Sequence, residues 1–222
     1  MGLLNLADWV ECTEVEGPGK RFALWVQGCI LKCPGCCNPQ MFDLAPRHLL
    51  ETQQVVDQIA RALAHHGIEG VTFLGGEPML QARGLAVVAK AVRTFNLSVM
   101  VFSGYRLEEL QQMAMPGVSD LLSVTDILVD GPFVAGLPER ERNWAGSTNQ
   151  RFHFLTDRYR AGIERDAAFG HGFEVRIGPT SELELNGWPV DVEHLDDKAK
   201  DNRDRTADPG QGNVSRPGPS MN

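Results

Sequence analysis

Short apolar runs alternate with helical patterns over much of this chain, and that alternation constrains the fold more than any other feature. The predicted strands cover residues 21–26, 71–74, 97–102 and 126–129. One helix between them carries apolar residues at i, i+3, i+4 and i+7, namely Leu85, Val88, Ala89 and Val92. Strand and helix alternating from about residue 10 to 135 predict an α/β fold of βα units around a largely parallel sheet.

The character of the chain changes beyond Phe154. Residues 173–177 and 182–185 flank a Gly-Pro-Thr-Ser segment at 178–181, which predicts a β-hairpin with a longer turn. From Pro189 onward there is no aromatic residue, charges of both signs are mixed, and Gly, Pro, Asp and Asn dominate. Such composition predicts disorder. We therefore expect a main domain over residues 1–155, a hairpin extension over 156–190 and a disordered tail over 191–222.

Composition and charge argue against several classes of main partner, although a local basic patch is still compatible with them. The formal net charge of −8 argues against nucleic acid, because phosphate binding needs a basic surface. No apolar run approaches the ~18 residues of a membrane helix, and the amino terminus lacks the basic region of a signal peptide. Four of the five cysteines lie between positions 29 and 37, a cluster that favours metal binding in a reducing compartment. We expect a cytoplasmic protein without membrane or nucleic-acid partners.

The cysteine cluster has the spacing C-x3-C-x2-C, formed by Cys29, Cys33 and Cys36. Three thiolates at this spacing suit a [4Fe-4S] cluster in which one iron has no protein ligand. A structural zinc site would need Cys37 or Cys12 as a fourth ligand, and adjacent Cys36 and Cys37 cannot easily share one ion. A closed electron-transfer cluster would need a spaced fourth cysteine. Three cysteines and one open iron fit best.

A second motif, Gly75-Gly76-Glu77-Pro78, follows the predicted strand 71–74. Ligands bind at the carboxyl ends of parallel strands, and two glycines leave backbone groups accessible there. Taken alone, the same residues are typical of a plain strand-to-helix turn with Pro78 at an early helical position. Following the cysteine loop by about forty residues, the motif becomes a specific signal.

These motifs resemble the radical S-adenosylmethionine superfamily, and within it the activating proteins of anaerobic ribonucleoside-triphosphate reductase. The resemblance continues through Phe-Ser-Gly-Tyr at 102–105, the run Asp-Ile-Leu-Val-Asp-Gly-Pro-Phe at 126–133 and Trp-Ala-Gly-Ser-Thr-Asn-Gln at 144–150. It covers about two-thirds of the chain in order. It implies a partial, open parallel βα barrel as the fold of residues 1–155, with the C-terminal β-hairpin and the disordered tail appended.

The resemblance also implies roles for individual residues. Cys29, Cys33 and Cys36 would ligate the [4Fe-4S] cluster. The positions that match the family's S-adenosylmethionine site are Gly35, Cys36, Cys37, Gly75, Gly76, Glu77, Pro78, Ser103 and Asp130. Among these, the stretch around Gly76 would receive the methionine amino group. No side chain is assigned as a general acid or base.

The implied activity is a radical oxidoreductase that cleaves S-adenosylmethionine reductively into methionine and a 5′-deoxyadenosyl radical. Its partners would be a large glycyl-radical enzyme and an external one-electron donor. Two alternatives stay open: radical modification of another peptide or small substrate, and a non-catalytic [4Fe-4S] protein of electron transfer or regulation. Three departures from the family pattern bear on this choice, namely Cys37 at an often aromatic position, Ala145 in place of an arginine, and the extension from Thr156 to Asn222.

Overall fold

A computed structural model of the protein describes residues 2–169, 172–177 and 183–187. Its strands are β1 (Leu3–Thr13), β2 (Arg21–Val26), β3 (His48–Glu51), β4 (Gly70–Gly75), β5 (Ser98–Ser103), β6 (Ile127–Asp130), β7 (Arg151–Phe154), β8 (Phe173–Ile177) and β9 (Leu183–Gly187). Its α-helices are α1 (Thr52–His66), α2 (Ala82–Arg93), α3 (Leu107–Gln112) and α4 (Val118–Leu122). None of the helices in this part of the chain has the length and apolar character needed to cross a membrane.

Seven strands form one sheet in the order β3-β1-β2-β4-β5-β6-β7. The four strands β2, β4, β5 and β6 are parallel to one another. The pairs β3–β1, β1–β2 and β6–β7 are antiparallel. The predicted α/β fold with a parallel core is confirmed, and antiparallel strands that were not predicted extend the sheet on both sides.

The helices pack on one face of the sheet. Phe22, Leu24 and Val26 alternate along β2 toward this face and are fully buried against residues of α1 and α2. Helix α1 ends at Gly67, whose φ of 63° is the left-handed conformation typical of a C-cap. Its N-cap is Glu51, and Thr52 is the first helical residue.

On the opposite face of the sheet, irregular segments and short 3-10 helices pack in place of α-helices. Met100, Ile127 and Val129 form a second core here with Trp144, and residues that follow β7, including Tyr159, pack against it. This face therefore depends on the chain beyond β6 for its shielding from water.

A buried arginine ties together the amino ends of the parallel strands. Arg21 is fully buried, and its guanidinium donates hydrogen bonds to Thr72 Oγ1 (2.6 Å), Ser98 Oγ (2.9 Å) and the carbonyls of Val71 (2.5 Å) and Pro18 (3.1 Å). Burial lowers the pKa of this group from its ordinary value. The contacts satisfy the buried cation mainly with neutral oxygens.

The predicted C-terminal hairpin is confirmed, with its second strand at Leu183–Gly187 instead of 182–185. It lies against the turn after β1: Glu14 N donates to Glu174 Oε1 (2.9 Å) and Gly187 N donates to Glu16 Oε1 (2.8 Å). Burial raises the pKa of Glu16 to about 7. The described residues belong to one compact unit that runs from Met1 to Pro189. The predicted tail over residues 191–222 lies outside the described residues.

Candidate functional site

The carboxyl ends of the four parallel strands carry every site residue predicted from the sequence. β2 leads into the cysteine loop, which is residues 28–37, and β4 ends in Gly75. β5 ends in Ser103 and β6 in Asp130, and these two residues are paired in register. Because β2 and β4 are also in register at Val26 and Gly75, the motifs meet along one edge. This edge is where open α/β sheets bind ligands.

The backbone holds the cysteine loop in a tight fold. Cys29 is buried, Cys33 and Cys36 are half-buried and Cys37 is exposed, and all four carry free thiols. Cys36 N donates to Cys33 O at 3.1 Å, which closes a short turn between two predicted ligands. Gly35 within that turn has a φ of 76°, a conformation that glycine adopts without steric cost.

The cysteine loop is packed on two sides against neighbouring segments. On one side Leu31 lies on Gly104, where an added Cβ would be 2.3 Å from Leu31 Cδ1. On the other side a Cβ on Gly35 would be 2.9 Å from Ala135 Cβ. Both glycines therefore permit close approach to the loop, and a larger residue at either position would push it from the sheet edge.

The donors in the loop are sulfur atoms of different acidity. The Cys37 thiol, through a hydrogen bond, lowers the pKa of Cys36 to about 6, and Asn38 N adds a contact of 3.4 Å to Cys36 Sγ. The same interaction raises the pKa of Cys37. Burial raises the pKa of Cys29. Cys36 is thus the thiol that most readily becomes a thiolate, which is the form that binds metal.

These thiols suit an iron–sulfur cluster because thiolates bind iron and because the three predicted ligands lie on one short loop. Within residues 2–169, 172–177 and 183–187, no three Cys, His, Asp or Glu side chains are arranged to hold a single metal ion. In a cubane cluster each thiolate binds a different iron, so the ligands need not converge on one point. The three cysteines and the glycine-lined cradle around them are compatible with such a group.

The Gly75–Pro78 turn is hydrogen-bonded to the start of the cysteine loop. Gly76 N donates to Val26 O at 2.8 Å, and Glu77 N donates to Gly28 O at 2.9 Å. A Cβ on Gly76 would be 2.3 Å from Gly28 O, so only glycine allows this approach. The structure therefore brings the two predicted motifs into direct backbone contact.

The Glu77 side chain points into the protein and connects two strand ends. It is 1% exposed, and its carboxylate accepts hydrogen bonds from Met79 N (2.9 Å), Ser103 Oγ (2.9 Å) and Gly104 N (2.8 Å). Burial raises the pKa of Glu77 to about 7, although these donors pull it in the other direction. Glu77 and Ser103 are thus brought together. Pro78 is buried at the start of the short 3-10 helix Pro78–Gln81.

Asp130 is buried at the same edge, and its carboxylate is occupied by protein donors. Leu107 N donates to it at 2.6 Å, and Arg151 donates at 2.6 and 2.9 Å. His153 Nε2 lies 2.9 Å from Asp130 Oδ2. Burial alone would raise the pKa of Asp130, but hydrogen bonds from Arg151 and Leu107 lower it.

Sequence reasoning missed Arg151 and His153 as partners of Asp130. Both lie on β7, an antiparallel strand of alternating polar and aromatic residues, and Arg151 is paired in register with Asp130. The alternation in Arg-Phe-His-Phe was the available signal for a strand. Nothing in that alternation indicates which strand β7 would join.

Sequence comparison finds a matching family model and several named relatives. A sequence-family model described as "4Fe-4S single cluster domain" matches residues 15–153. The anaerobic ribonucleoside-triphosphate reductase-activating protein of Escherichia coli K12 is 35% identical over 159 residues, 68% of this chain and 99% of the relative. The protein of the same name from Vibrio cholerae is 33% identical over 69% of this chain and 99% of its own.

The protein of that name from bacteriophage T4 is also similar, with 33% identity over 151 residues, 66% of this chain and 91% of the relative. Hairpin β8–β9 lies after the last residue that the family model matches. The matched region includes the whole cysteine loop and every other predicted site residue. The chain belongs to the family of anaerobic ribonucleoside-triphosphate reductase-activating proteins and contains its 4Fe-4S single cluster domain.

Proposed function

We propose that this protein is a radical S-adenosylmethionine enzyme that installs a glycyl radical on a partner anaerobic ribonucleotide reductase. The observation that carries the proposal is the hydrogen-bonded contact between the cysteine loop and the Gly75–Pro78 turn at the carboxyl edge of the parallel strands. The partner is inferred from the names of the relatives. The enzyme acts in the cytoplasm, where a reducing environment keeps the thiols available.

Cys29, Cys33 and Cys36 hold the [4Fe-4S] cluster as thiolates, and Cys37 is not a ligand. A [4Fe-4S] cluster held there would pass an electron from an external one-electron donor to S-adenosylmethionine, and reductive cleavage of the sulfonium C–S bond would give methionine and a 5′-deoxyadenosyl radical. The depressed pKa of Cys36 favours its ligating form near neutral pH. Burial of Cys29 limits the access of water to its side of the loop.

The backbone of Gly75, Gly76 and Glu77 receives the amino group of S-adenosylmethionine, and Gly35, Cys36 and Cys37 pass beside it. The Glu77 carboxylate is buried and accepts three hydrogen bonds from protein donors, so its role is to hold this backbone against the end of β5. Ser103 Oγ donates one of these hydrogen bonds to Glu77. Pro78 begins the short 3-10 helix that follows. Asp130, neutralised by Arg151, holds β6 and α3 together beneath the site.

In this proposal residues 1–155 form an open, partial βα barrel, and residues 156–190 are an extension that leaves the chemistry unchanged. The radical removes a hydrogen atom from one glycine Cα of the partner, so the products are 5′-deoxyadenosine and a stored glycyl radical. No side chain of this chain transfers a proton in that step. The protein contributes binding, orientation and protection from solvent.

An anaerobic assay tests the proposal. The reconstituted protein, reduced by dithionite and mixed with S-adenosylmethionine, should release 5′-deoxyadenosine and methionine in equal amounts. With the reductase of the same organism it should also produce a glycyl radical visible by electron paramagnetic resonance. A fully loaded cluster that gives no cleavage would contradict the proposal and indicate an electron-transfer or regulatory protein.

The adjacent pair Cys36 and Cys37 provides a matched control for the ligand set. Cys36→Ala should lower the iron content and abolish release of 5′-deoxyadenosine. Cys37→Ala should keep the iron content of the wild type. Loss of iron in the Cys37 variant would show that the ligand assignment is wrong.

A further inference from the structure

The segment between β6 and β7, residues 131–150, forms a folded loop beside the cysteine loop. Its two halves run back along each other: Pro138 and Ser147 form an antiparallel bridge, and Thr148 N donates to Leu137 O at 2.7 Å. Val134 N donates to Ser147 Oγ at 3.2 Å. We name this segment the 131–150 loop.

A carboxylate and a guanidinium stabilise the 131–150 loop from inside. Glu139 is 6% exposed, and its Oε1 accepts from the backbone N–H groups of Arg140, Glu141 and Arg142 at 2.9, 2.9 and 3.3 Å. Arg142 Nε donates to Glu139 Oε2 at 2.5 Å. Although burial alone would raise the pKa of Glu139, these donors lower it to about 2, so the carboxylate stays charged at neutral pH.

Arg142 reaches from Glu139 to the other half of the loop. Its two terminal nitrogens donate to Gln150 O at 2.8 Å and Thr148 O at 3.1 Å, and its guanidinium carbon lies 5.5 Å from the centre of the Phe152 ring. One planar group thus binds a carboxylate, two carbonyls and an aromatic face. A lysine has no fixed fork of donors and cannot reproduce these contacts together.

A continuous set of contacts connects this point to the cysteine loop. Gln150 Oε1 accepts from Gly146 N (2.7 Å) and Ser147 N (3.1 Å). A Cβ on Gly146 would be 3.1 Å from the Phe133 ring, and a Cβ on Gly35 would be 3.8 Å from the same ring. Gln150 thus holds the Gly146–Ser147 backbone, which lies beside the Phe133 ring, and the same ring lies beside Gly35 of the cysteine loop.

Exposed apolar side chains lie on both loops. Val134 and Leu137 are 37% and 46% exposed on the 131–150 loop, and Ile30 is 53% exposed on the cysteine loop. In the proposed function, a polypeptide of the partner delivers a glycine to the cysteine loop, and the 131–150 loop lies directly beside that loop at Gly35. The approach of this polypeptide depends on the spacing between the two loops, because a misplacement of ~1 Å can reduce a reaction by a factor of about 10².

We propose that Arg142 is a positioning residue for radical transfer: it holds the 131–150 loop as a wall beside the cysteine loop and so sets the approach of the protein substrate. This inference rests on the proposed function. Arg142 touches neither cluster nor substrate, and its effect passes through Gln150, Phe133 and Gly35. It therefore acts on the use of the radical by the partner, while cysteine ligation is independent of it.

The test compares Arg142→Met and Arg142→Lys with Arg165→Met. Arg165 is a matched control because it also pairs with a glutamate of this loop, Glu141, at 2.9 Å, but both side chains are more than half exposed. In the Arg142 variants, the number of glycyl radicals formed per 5′-deoxyadenosine should fall about tenfold, a loss of positioning of the size expected for a small displacement. The KM for the reductase should rise, and iron content should equal that of the wild type.

Three results would overturn the inference. The first is wild-type coupling and KM in a folded Arg142→Met variant. The second is loss of iron in both Arg142 variants, which would show a general structural role. The third is full recovery of coupling by lysine, which would show that charge alone suffices. A wild-type protein that releases no 5′-deoxyadenosine would instead contradict the proposed function itself, so the two failures are distinguishable.

Discussion

The three hydrogen bonds to the buried Glu77 carboxylate predict a pH-dependent cost for its removal. Glu77→Ala leaves Met79 N, Ser103 Oγ and Gly104 N without their acceptor. Each unpaired buried donor costs about 1–3 kcal/mol, which gives a gross loss of about 5 kcal/mol. The variant also removes the free-energy cost of burying the charged form of Glu77, whose pKa is raised from 4.5 to about 7. The net cost is the difference between these two contributions.

The sign of the pH effect follows from linkage. Because the folded pKa is above the unfolded value, the wild type has its full stability below about pH 4.5 and loses it as pH rises through about 7. The penalty is about 1.4 kcal/mol at pH 5.5 and about 3 kcal/mol at pH 8. Glu77→Ala should therefore cost about 4 kcal/mol at pH 5.5 and about 2 kcal/mol at pH 8.

Anaerobic urea denaturation followed by far-UV circular dichroism at both pH values measures these costs. Glu141→Gln is the control, because the Glu141 side chain is 77% exposed and its ion pair with Arg165 should contribute less than about 1 kcal/mol at either pH. Glu77→Gln keeps one acceptor oxygen and should cost less than Glu77→Ala. A cost for Glu77→Ala that is below about 1 kcal/mol at pH 5.5, or that grows with pH, would refute the reasoning.

Two further predictions concern Gly76 and Glu16. Gly76→Ala places a Cβ 2.3 Å from Gly28 O, so we expect loss of bound iron and a lower melting temperature. Gly136→Ala is the control, because its Cβ meets nothing within 4 Å and should change neither quantity. Normal iron content in Gly76→Ala would contradict the importance of this contact for the cluster. Glu16→Gln should remove the pH-dependent penalty of burying a carboxyl group whose pKa is about 7. In urea titrations, the free energy of unfolding of the wild type relative to this variant should therefore fall by about 2 kcal/mol between pH 5.5 and pH 8. A pH-independent difference would show that Glu16 is not buried in solution.

The buried parallel strands could be predicted closely because their signal is local. Residues 21–26, 71–74 and 97–102 are short runs of mostly apolar residues, and they correspond to β2, β4 and β5 within about one residue at each end. β1 escaped prediction as a full strand because register shifts between Leu6 and Asp8 and between Val10 and Thr13 interrupt its alternation. β7 was missed because four residues carry little periodic information.

The candidate site also combines features that local sequence predicts with contacts that only the fold creates. The cysteine spacing and the paired glycines are local patterns, so the sequence alone identified the loop and the turn. The partner of Glu77 is Ser103, 26 residues later, and the partner of Asp130 is Arg151, 21 residues later. No periodicity in the sequence indicates such pairs. They depend on which strand ends lie side by side.

The amino-acid sequence by itself predicted which residues carry the chemistry, because ligand type and spacing are properties of a short segment. Tertiary structure decided what each neighbouring side chain contacts. It buries the Glu77 and Asp130 carboxylates against protein donors. It also placed the 131–150 loop against Gly35, a contact between segments about a hundred residues apart. Packing between distant segments depends on the arrangement of the whole sheet, so it appears only when the chain is folded.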